Sequence, residues 1–234
     1  MDKPYILSIE SATQVCSVSL HKGNELVQLI ETTENNAHSQ KLTLFIQDIL
    51  KQECINPKNL NAVAVSAGPG SYTGLRIGVS AAKGLCYSLN IPLIGISTLK
   101  AMAYGLSIRY PEQSNHLFMP AIDARRMELY TAIYDHALSL KMNEGPLIVD
   151  DEWFKNQSPE KVLILGGTGA KKCIPLVSEL SNIVVLEEYS ASAQYVGALA
   201  IHEFINGSFV DVSYFEPHYM KEFVAAPPSV KGLK

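Results

Sequence analysis

The chain has 234 residues, a 47% hydrophobic fraction and a formal net charge of −4 at pH 7. That length suits one large domain or two small ones, and the apolar fraction is sufficient for a buried core. The acidic balance argues against a direct grip on a phosphate backbone, which requires a basic surface. Because no apolar run is long enough to cross a bilayer and no signal region is visible, we expect a cytosolic protein.

Five strands and three helices are predicted for the first half of the chain. The strands show short apolar alternation between polar turns, and the helices show apolar residues at helical spacing. In chain order we predict strands at 5–11, 15–22 and 25–33, a helix at 38–53, a strand at 62–67, a helix at about 73–88, a strand at 92–96 and a helix from Ser97-Thr98.

The second half repeats this order. The predicted elements are strands at 116–123, 127–135 and 137–145, a short amphipathic piece around Trp153, a strand at 162–167, a helix from about 169, a strand at 182–188 and a helix at about 192–206. The stretch "ILSIES" parallels "MPAIDA", and "VAVSAG" parallels "VLILGG". Glu10 and Asp123 therefore take equivalent places at the ends of two first strands.

Two βββαβα halves with a carboxylate after each first strand form the plan of the actin, Hsp70 and sugar-kinase superfamily. This α/β plan is a duplicated ribonuclease H-like motif with a nucleotide between the lobes. We predict lobes at 1–105 and 106–207 and a flexible tail at 227–234, and we expect either the last helix or a segment at about 208–226 to pack back on the first lobe. Two unrelated α/β halves are the alternative.

The glycine-rich stretch "GPGSYTGLRIG" follows a strand and precedes a helix, as a phosphate-binding loop does. A Walker loop needs a Lys and then a Ser or Thr after its last glycine, and Leu75 and Arg76 stand there instead. The dinucleotide fingerprint also fails, because its third glycine falls at Thr73. The stretch is therefore not one of these two nucleotide-binding loops.

Metal and disulfide chemistry are not indicated by the pattern of cysteines and histidines. The four cysteines, Cys16, Cys54, Cys86 and Cys173, are widely spaced and contain no CxxC pair, so we expect buried thiols. No HxxxH pair is present, which removes the ligands that a metallopeptidase of this superfamily would use. We predict no metal and no cofactor.

Together with "AIDARRMELY", the glycine-rich stretch resembles the bacterial TsaB family, also called YeaZ, and the likeness runs from "ILSIESATQVCSVSL" to "FEPHYMKEF". The resemblance implies a non-catalytic subunit that dimerises with and activates a TsaD-type subunit. That partner transfers threonylcarbamoyl from threonylcarbamoyl-adenylate to the adenosine beside the anticodon of tRNA. It also implies a TsaE-type ATPase partner, tRNA contact only through the complex, and a homodimer when alone. Glu10 departs from the family, where Asp is common.

The predicted nucleotide cleft is vestigial. Backbone amides must close around phosphates, yet Ala12 and Arg125 stand where such folds favour glycine. The cleft residues that we predict are Glu10, Ser11, Thr13, Gly68, Gly70, Asp123, Arg125, Gly166 and Gly167. Glu10 and Asp123 either hold Mg²⁺ through water or accept hydrogen bonds in turns, and the Gly166-Gly167 pair either contacts a nucleotide or serves a turn. An active small-molecule kinase or ATPase is the alternative function.

The predicted helix at 73–88 carries more apolar and small positions than one core-facing stripe requires. Small residues allow another backbone to approach closely, so the helix either packs inside its own lobe against 38–53 or meets a partner. The family resemblance favours the partner. The interface residues that we predict are Leu42, Phe45, Ile46, Gly74, Arg76, Gly78, Ala81 and Lys83.

Overall fold

The computed structural model describes residues 3–111 and 115–221. The strands are β1 Tyr5–Glu10, β2 Cys16–Lys22, β3 Glu25–Thr32, β4 Ala62–Gly68, β5 Leu93–Ser97, β6 His116–Asp123, β7 Glu128–Tyr134, β8 Leu140–Ile148, β9 Val162–Gly166 and β10 Ile183–Leu186. The helices are α1 Ala37–Gln52, α2 Tyr72–Leu89, α3 Thr98–Ser107, α4 Asp151–Lys155, α5 Ile174–Val177 and α6 Ala193–Ile205. No helix within these ranges is long and apolar enough to cross a membrane.

The strands form two five-stranded sheets of matching topology. The first has the order β3-β2-β1-β4-β5, and the second, read from its other edge, has the order β8-β7-β6-β9-β10. In each sheet the first three strands pair antiparallel, and the last two join the first strand in parallel. The predicted duplication of an α/β lobe is confirmed.

Two predicted elements of the second lobe differ from the structure. The third strand begins at Leu140 rather than at 137, because the Asp135 carboxylate accepts the N–H groups of Ala137 and Ser139 and holds a turn there. The helix predicted from 169 is a 3₁₀ turn followed by the four-residue α5. Pro175 lies in the first turn of α5, where its missing N–H is tolerated.

Three hydrophobic clusters form the core. One joins the outer face of the first sheet to α1 and α2, and another joins the outer face of the second sheet to α4 and α5. The third lies between the two sheets and contains α3 and α6. Strand β1 serves two of them, because Leu7 and Ile9 face α1 and α2 while Ile6 faces the interlobe cluster.

The last helix of each half packs on the sheet of the other half. Helix α3 lies mainly on β6, and α6 lies mainly on β1 and β2. Two hydrogen bonds fix the start of α6: the Ser19 hydroxyl donates to the Ala193 carbonyl at 2.8 Å, and the Ala193 N–H donates to the Ser17 hydroxyl at 3.0 Å. The proposed boundary at 105/106 falls inside α3.

The segment that follows α6 runs along the first lobe as far as the structure describes it. The Val210 N–H donates to the Leu93 carbonyl at 3.0 Å on the edge strand β5. Phe215 packs with the α1–α2 core, and the Lys83 ammonium donates to the Ser213 and Phe215 carbonyls at 3.1 and 3.0 Å. The proposed tail at 227–234 lies outside the described residues.

The glycines of the glycine-rich stretch make room for the protein's own first turn. An added methyl group at Gly70 would overlap the Ala12 carbonyl, and at Gly74 it would overlap the Ser11 carbonyl. At Gly78 it would overlap the Ser11 hydroxyl. The expectation that Gly74 and Gly78 lie on a partner surface is therefore corrected, since both are buried and α2 needs them to approach β1 and the turn after it.

Two alanine substitutions on α2 should change stability in opposite directions. We expect Gly78→Ala to lower the free energy of unfolding by about 2 kcal/mol, because the methyl group overpacks the Ser11 side chain. Gly84→Ala, on the same helix, is the matched control. Its methyl group meets nothing within 4 Å, so the substitution should stabilise by up to about 1 kcal/mol through helix propensity. Urea unfolding of both variants measures the difference, and equal effects would contradict the packing role.

Candidate functional site

A cleft of about 760 Å³ lies between the lobes at the ends of their first strands. The turn after β1 contributes Ala12 and Thr13 to one wall, whereas Asp123 at the end of β6 and Arg125 in the turn that follows contribute to the other. The N-terminal end of α2, the residues 34–36 that precede α1, and residues 218–221 also line it. The duplicated plan predicts a nucleotide site at this position.

The residues predicted for the cleft fall into two groups. Those that line it are Thr13, Gly70, Asp123 and Arg125. Those buried away from its lining are Glu10, Ser11, Gly68, Gly166 and Gly167. Gly166 packs against the Tyr189 ring, and Gly167 has a φ of +123°, a conformation that side chains disfavour. Gly166 and Gly167 therefore serve the turn and its packing, and they do not form part of the cleft surface.

Glu10 is fully buried beneath the first turn. Its Oε1 accepts the Ala12 N–H at 2.6 Å, whereas Oε2 has no hydrogen-bond partner among the described residues. Burial raises the pKa of Glu10 to about 7, although hydrogen bonds from Ala12, Ser66 and Ser11 oppose the rise. A carboxyl group enclosed in this way closes the turn and offers no ligand to the cleft.

Asp123 is exposed to the cleft, but its carboxylate is already engaged. The Lys172 ammonium donates to Asp123 Oδ1 at 2.7 Å and to the carbonyls of Arg126 and Glu128 at 2.8 and 2.5 Å. Burial raises the pKa of Asp123, but hydrogen bonds from Lys172 and from the Arg125 N–H outweigh it, so the pKa lies below its usual value. The Lys172 ammonium therefore lies where a metal ion bound by the Asp123 carboxylate would lie.

Removing the Lys172 ammonium should reverse the pKa shift of Asp123. We expect Lys172→Met to raise the pKa above its ordinary value, because burial then acts against fewer stabilising hydrogen bonds. A carbon-detected NMR titration of the carboxyl group measures this. Lys171→Met, at the exposed neighbouring residue, is the matched control and should leave the Asp123 titration unchanged. An unaltered titration in Lys172→Met would contradict the assignment.

Within residues 3–111 and 115–221, no three His, Cys, Asp or Glu side chains are grouped so as to hold a metal ion. All four cysteines are free thiols. Cys16, Cys86 and Cys173 are buried as expected, but Cys54 is exposed just after α1, which corrects the expectation for that residue. The described residues therefore offer no ready metal centre.

A groove of about 530 Å³ runs between α1 and α2. Leu42, Ile77 and Ala81 form its apolar part, and the exposed residues Thr43 and Ser80 are among its polar lining. An apolar centre surrounded by a polar rim is typical of surfaces at which another protein docks. The groove is thus a candidate interface on the outer side of the first lobe.

The residues predicted for the interface are distributed unevenly. Leu42, Arg76 and Ala81 line the groove. Beside it, Phe45 is partly buried and Ile46 is buried. The Lys83 side chain instead binds the segment after α6, and Gly74 and Gly78 lie inside the lobe. Ile77 was not among the predicted residues. Its i, i+4 spacing with Ala81 places both on one helix face and provided the signal that could have identified it.

The two matching sheets and the cleft between them define a two-lobed α/β protein of the actin-like fold. A solved structure described as an uncharacterized protein with similarity to peptidase YEAZ from Pseudomonas aeruginosa has a TM-score of 0.75 and 25% identity, covering 93% of this chain and 100% of that chain. A structure of YeaZ from Pseudomonas aeruginosa has a TM-score of 0.78 at 23% identity, covering 92% and 99%, and it supports the same fold.

The chain belongs to the family of the tRNA threonylcarbamoyladenosine biosynthesis protein TsaB. The relative of this name from Escherichia coli K12 is 33% identical over 229 residues, which are 94% of this chain and 96% of the relative. The relative from Buchnera aphidicola subsp. Acyrthosiphon pisum is 37% identical over 179 residues, 76% of each chain. A family model described as "TsaD: tRNA N6-adenosine threonylcarbamoyltransferase" matches residues 31–142. The predicted family is confirmed, and with it a role in this biosynthesis.

Proposed function

We propose that the chain is a non-catalytic subunit that binds and activates a TsaD-type catalytic subunit. That partner transfers threonylcarbamoyl from threonylcarbamoyl-adenylate to the adenosine beside the anticodon. The observation that carries the proposal is the contrast between the two concavities. The groove between α1 and α2 has an apolar floor accessible from outside, whereas the cleft between the lobes is occupied by the chain's own polar contacts.

The chemistry of the cleft supports a subunit without catalysis. Phosphate binding in this fold needs carboxylates that can recruit a cation and turns that present bare amides. Here Glu10 is sealed beneath its turn, Asp123 is bound by Lys172, and Arg125 adopts a φ of 74° where a glycine would leave space. These features remove the means of positioning a nucleotide for transfer.

The groove between α1 and α2 supplies the docking surface in this proposal. Burying the partly exposed Ile77 and Ala81 of this groove against a partner helix is favourable by about 25 cal/mol per Å² of apolar surface, whereas Leu42 is already buried in the lobe. The same surface supports a homodimer when the catalytic subunit is absent. The homodimer and the heterodimer would then exclude one another.

The TsaE-type ATPase and tRNA enter the proposal through the complex. The formal charge of −4 disfavours independent binding of RNA by this chain, because phosphate contacts reward a basic surface. ATP turnover is assigned to the third subunit. The chain contributes the docking surface that brings the catalytic subunit into its active arrangement.

An active kinase or ATPase is the second candidate. The size of the cleft, about 760 Å³, favours it, because ligand pockets commonly fall in this range. This candidate requires Asp123 to leave Lys172 and to coordinate a cation. It therefore predicts nucleotide turnover by the isolated chain that depends on Asp123.

Reconstitution distinguishes the two functions. The chain alone should neither hydrolyse ATP measurably nor modify tRNA, and addition of TsaD- and TsaE-type partners with threonylcarbamoyl-adenylate and unmodified tRNA should restore modification. Asp123→Asn should retain at least about half of the activity of the complex, a loss of under 1 kcal/mol. ATP turnover by the isolated chain that is lost in Asp123→Asn would instead establish the second candidate.

A further inference from the structure

Residues 218–221, here called the strap, line the interlobe cleft and contact both lobes. The His218 N–H donates to the Ala67 carbonyl of β4 at 2.7 Å. Met220 packs against the core between the sheets, and the Lys221 ammonium pairs with the Glu128 carboxylate on β7. Four consecutive residues of the cleft lining thus connect the first sheet to the second.

The first-lobe end of the strap is held by an aromatic and cationic stack. The Tyr219 and Tyr72 ring centroids are 4.9 Å apart, and the Arg76 guanidinium lies 4.1 Å from the Tyr72 centroid. Arg76 Nε also donates to the Tyr219 hydroxyl at 3.1 Å. Arg76 therefore joins the two rings, through a cation–π contact with Tyr72 and a hydrogen bond to Tyr219, and together with the ring contact this holds Tyr219 on the first lobe.

At two positions of the first lobe, the absence of a side chain leaves space for this part of the chain. Gly68 has a φ of +104°, and an added methyl group would lie 2.7 Å from the His218 carbonyl oxygen. At Gly95 it would lie 2.9 Å from the Phe215 ring, which precedes the strap. Gly68 was predicted as a residue of the nucleotide cleft, and here it makes room for the strap.

The second-lobe end of the strap joins the turn that carries Asp123. Lys221 pairs with the Glu128 side chain, and the Glu128 carbonyl accepts from Lys172, which also binds Asp123. Release of Lys221 would therefore free one side of this turn. The interlobe core with α3 and α6 would remain as the hinge, since it lies between the sheets and involves none of these ion pairs.

We propose that the strap is a latch that holds the two lobes closed over the cleft, with Tyr219 at Arg76 as its first-lobe end and Lys221 at Glu128 as its second-lobe end. Opening of the cleft requires that at least one end be released. The latch does not rest on the proposed function. Arg76 also lines the α1–α2 groove, so this residue contributes both to the groove and to the first-lobe end of the latch.

A distance measurement between spin labels on the two lobes tests the latch. Asn35→Cys and Lys171→Cys place labels at exposed residues of the first and second lobes, in a Cys54→Ser background that leaves only buried native cysteines. We expect the double variant Tyr219→Ala/Lys221→Ala to shift the interlabel distance to longer values and to broaden its distribution. Tyr214→Ala/Lys161→Ala removes the same residue types from exposed positions outside the strap and should leave the distribution unchanged.

A charge reversal provides the second test, because Lys221 is partly exposed and its substitution leaves the core intact. Lys221→Glu places like charges together and should shift the distance in the same direction. Glu128→Lys/Lys221→Glu restores opposite charges and should return the distribution toward that of the native protein. Unchanged distances in the double variant and in Lys221→Glu, or failure of the charge swap to restore closure, would overturn the latch.

Discussion

Ala81→Asp is expected to weaken binding of a TsaD-type catalytic subunit by about a hundredfold or more. Ala81 lies beside Leu42 and Ile77 in the α1–α2 groove, and a short carboxylate there cannot reach back to solvent once a partner covers it. An unpaired charge buried in an interface costs several kcal/mol, and each 1.4 kcal/mol is about tenfold in the dissociation constant. Isothermal titration calorimetry or a quantitative pull-down measures the loss.

The isolated variant should remain folded, because Ala81 is only partly buried in the free chain. Asn143→Asp adds the same charge at an exposed residue of β8 in the second lobe and should bind the partner normally. Light scattering of the isolated Ala81→Asp variant should also show loss of any homodimer. Full partner binding by a folded Ala81→Asp variant would exclude this groove as the docking surface.

The order of strands and helices along both halves of the chain was predictable, because it follows from the local pattern of apolar residues and from the internal repeat. Alternating apolar residues mark strands such as "ILSIES", and the repeat of this stretch as "MPAIDA" indicates that one topology occurs twice. Most element boundaries agree within two residues. The start of β8 was missed because the Asp135 side chain, rather than hydrophobic alternation, determines where that strand begins.

The packing of the helices was less accessible to sequence reasoning. An apolar stripe shows that a helix face is buried but not which surface buries it, so the packing of α3 on the second sheet was not predicted, although the return of the last helix to the first lobe was one of the two expectations for that end of the chain. The small residues of α2 led to a similar error. Gly74 and Gly78 do receive a closely approaching backbone or side chain, but it belongs to Ser11 of the same lobe.

The chemical state of the cleft depends on contacts between residues distant in sequence. The carboxylates at Glu10 and Asp123 were correctly placed at equivalent strand ends, since the repeat fixes them. Neither the ion pair of Asp123 with Lys172 nor the burial of Glu10 has a local signature. The strap depends likewise on Tyr219 meeting Arg76, far along the chain. Such pairings require coordinates.

Glu10→Gln is expected to stabilise the protein by about 3 kcal/mol above pH 7 and to have little effect near pH 4.5. Burial raises the pKa of Glu10 from 4.5 to about 7, so the folded state holds its proton more tightly than the unfolded state does. The resulting stability is present below pH 4.5 and is lost as the pH rises to about 7, at about 1.4 kcal/mol per pH unit. Glutamine stays neutral and keeps an oxygen for the Ala12 N–H.

Unfolding in urea at a series of pH values should therefore show a difference between the variant and the native protein that grows from pH 4.5 to 7 and then levels off. The variant must be compared with the native protein, because the pH dependence of the native protein alone also contains an opposite contribution from His21. Burial lowers the pKa of His21 to about 4, so its contribution to stability is lost as the pH falls below 6.5. The two slopes largely offset one another in the native protein between pH 4.5 and 6.5, and Glu10→Gln should expose the one from His21. Glu160→Gln makes the same chemical change at an exposed residue and should show no such pH dependence. A stability difference for Glu10→Gln that does not vary with pH would mean that Glu10 carries no raised pKa and that its carboxylate is solvated from the cleft.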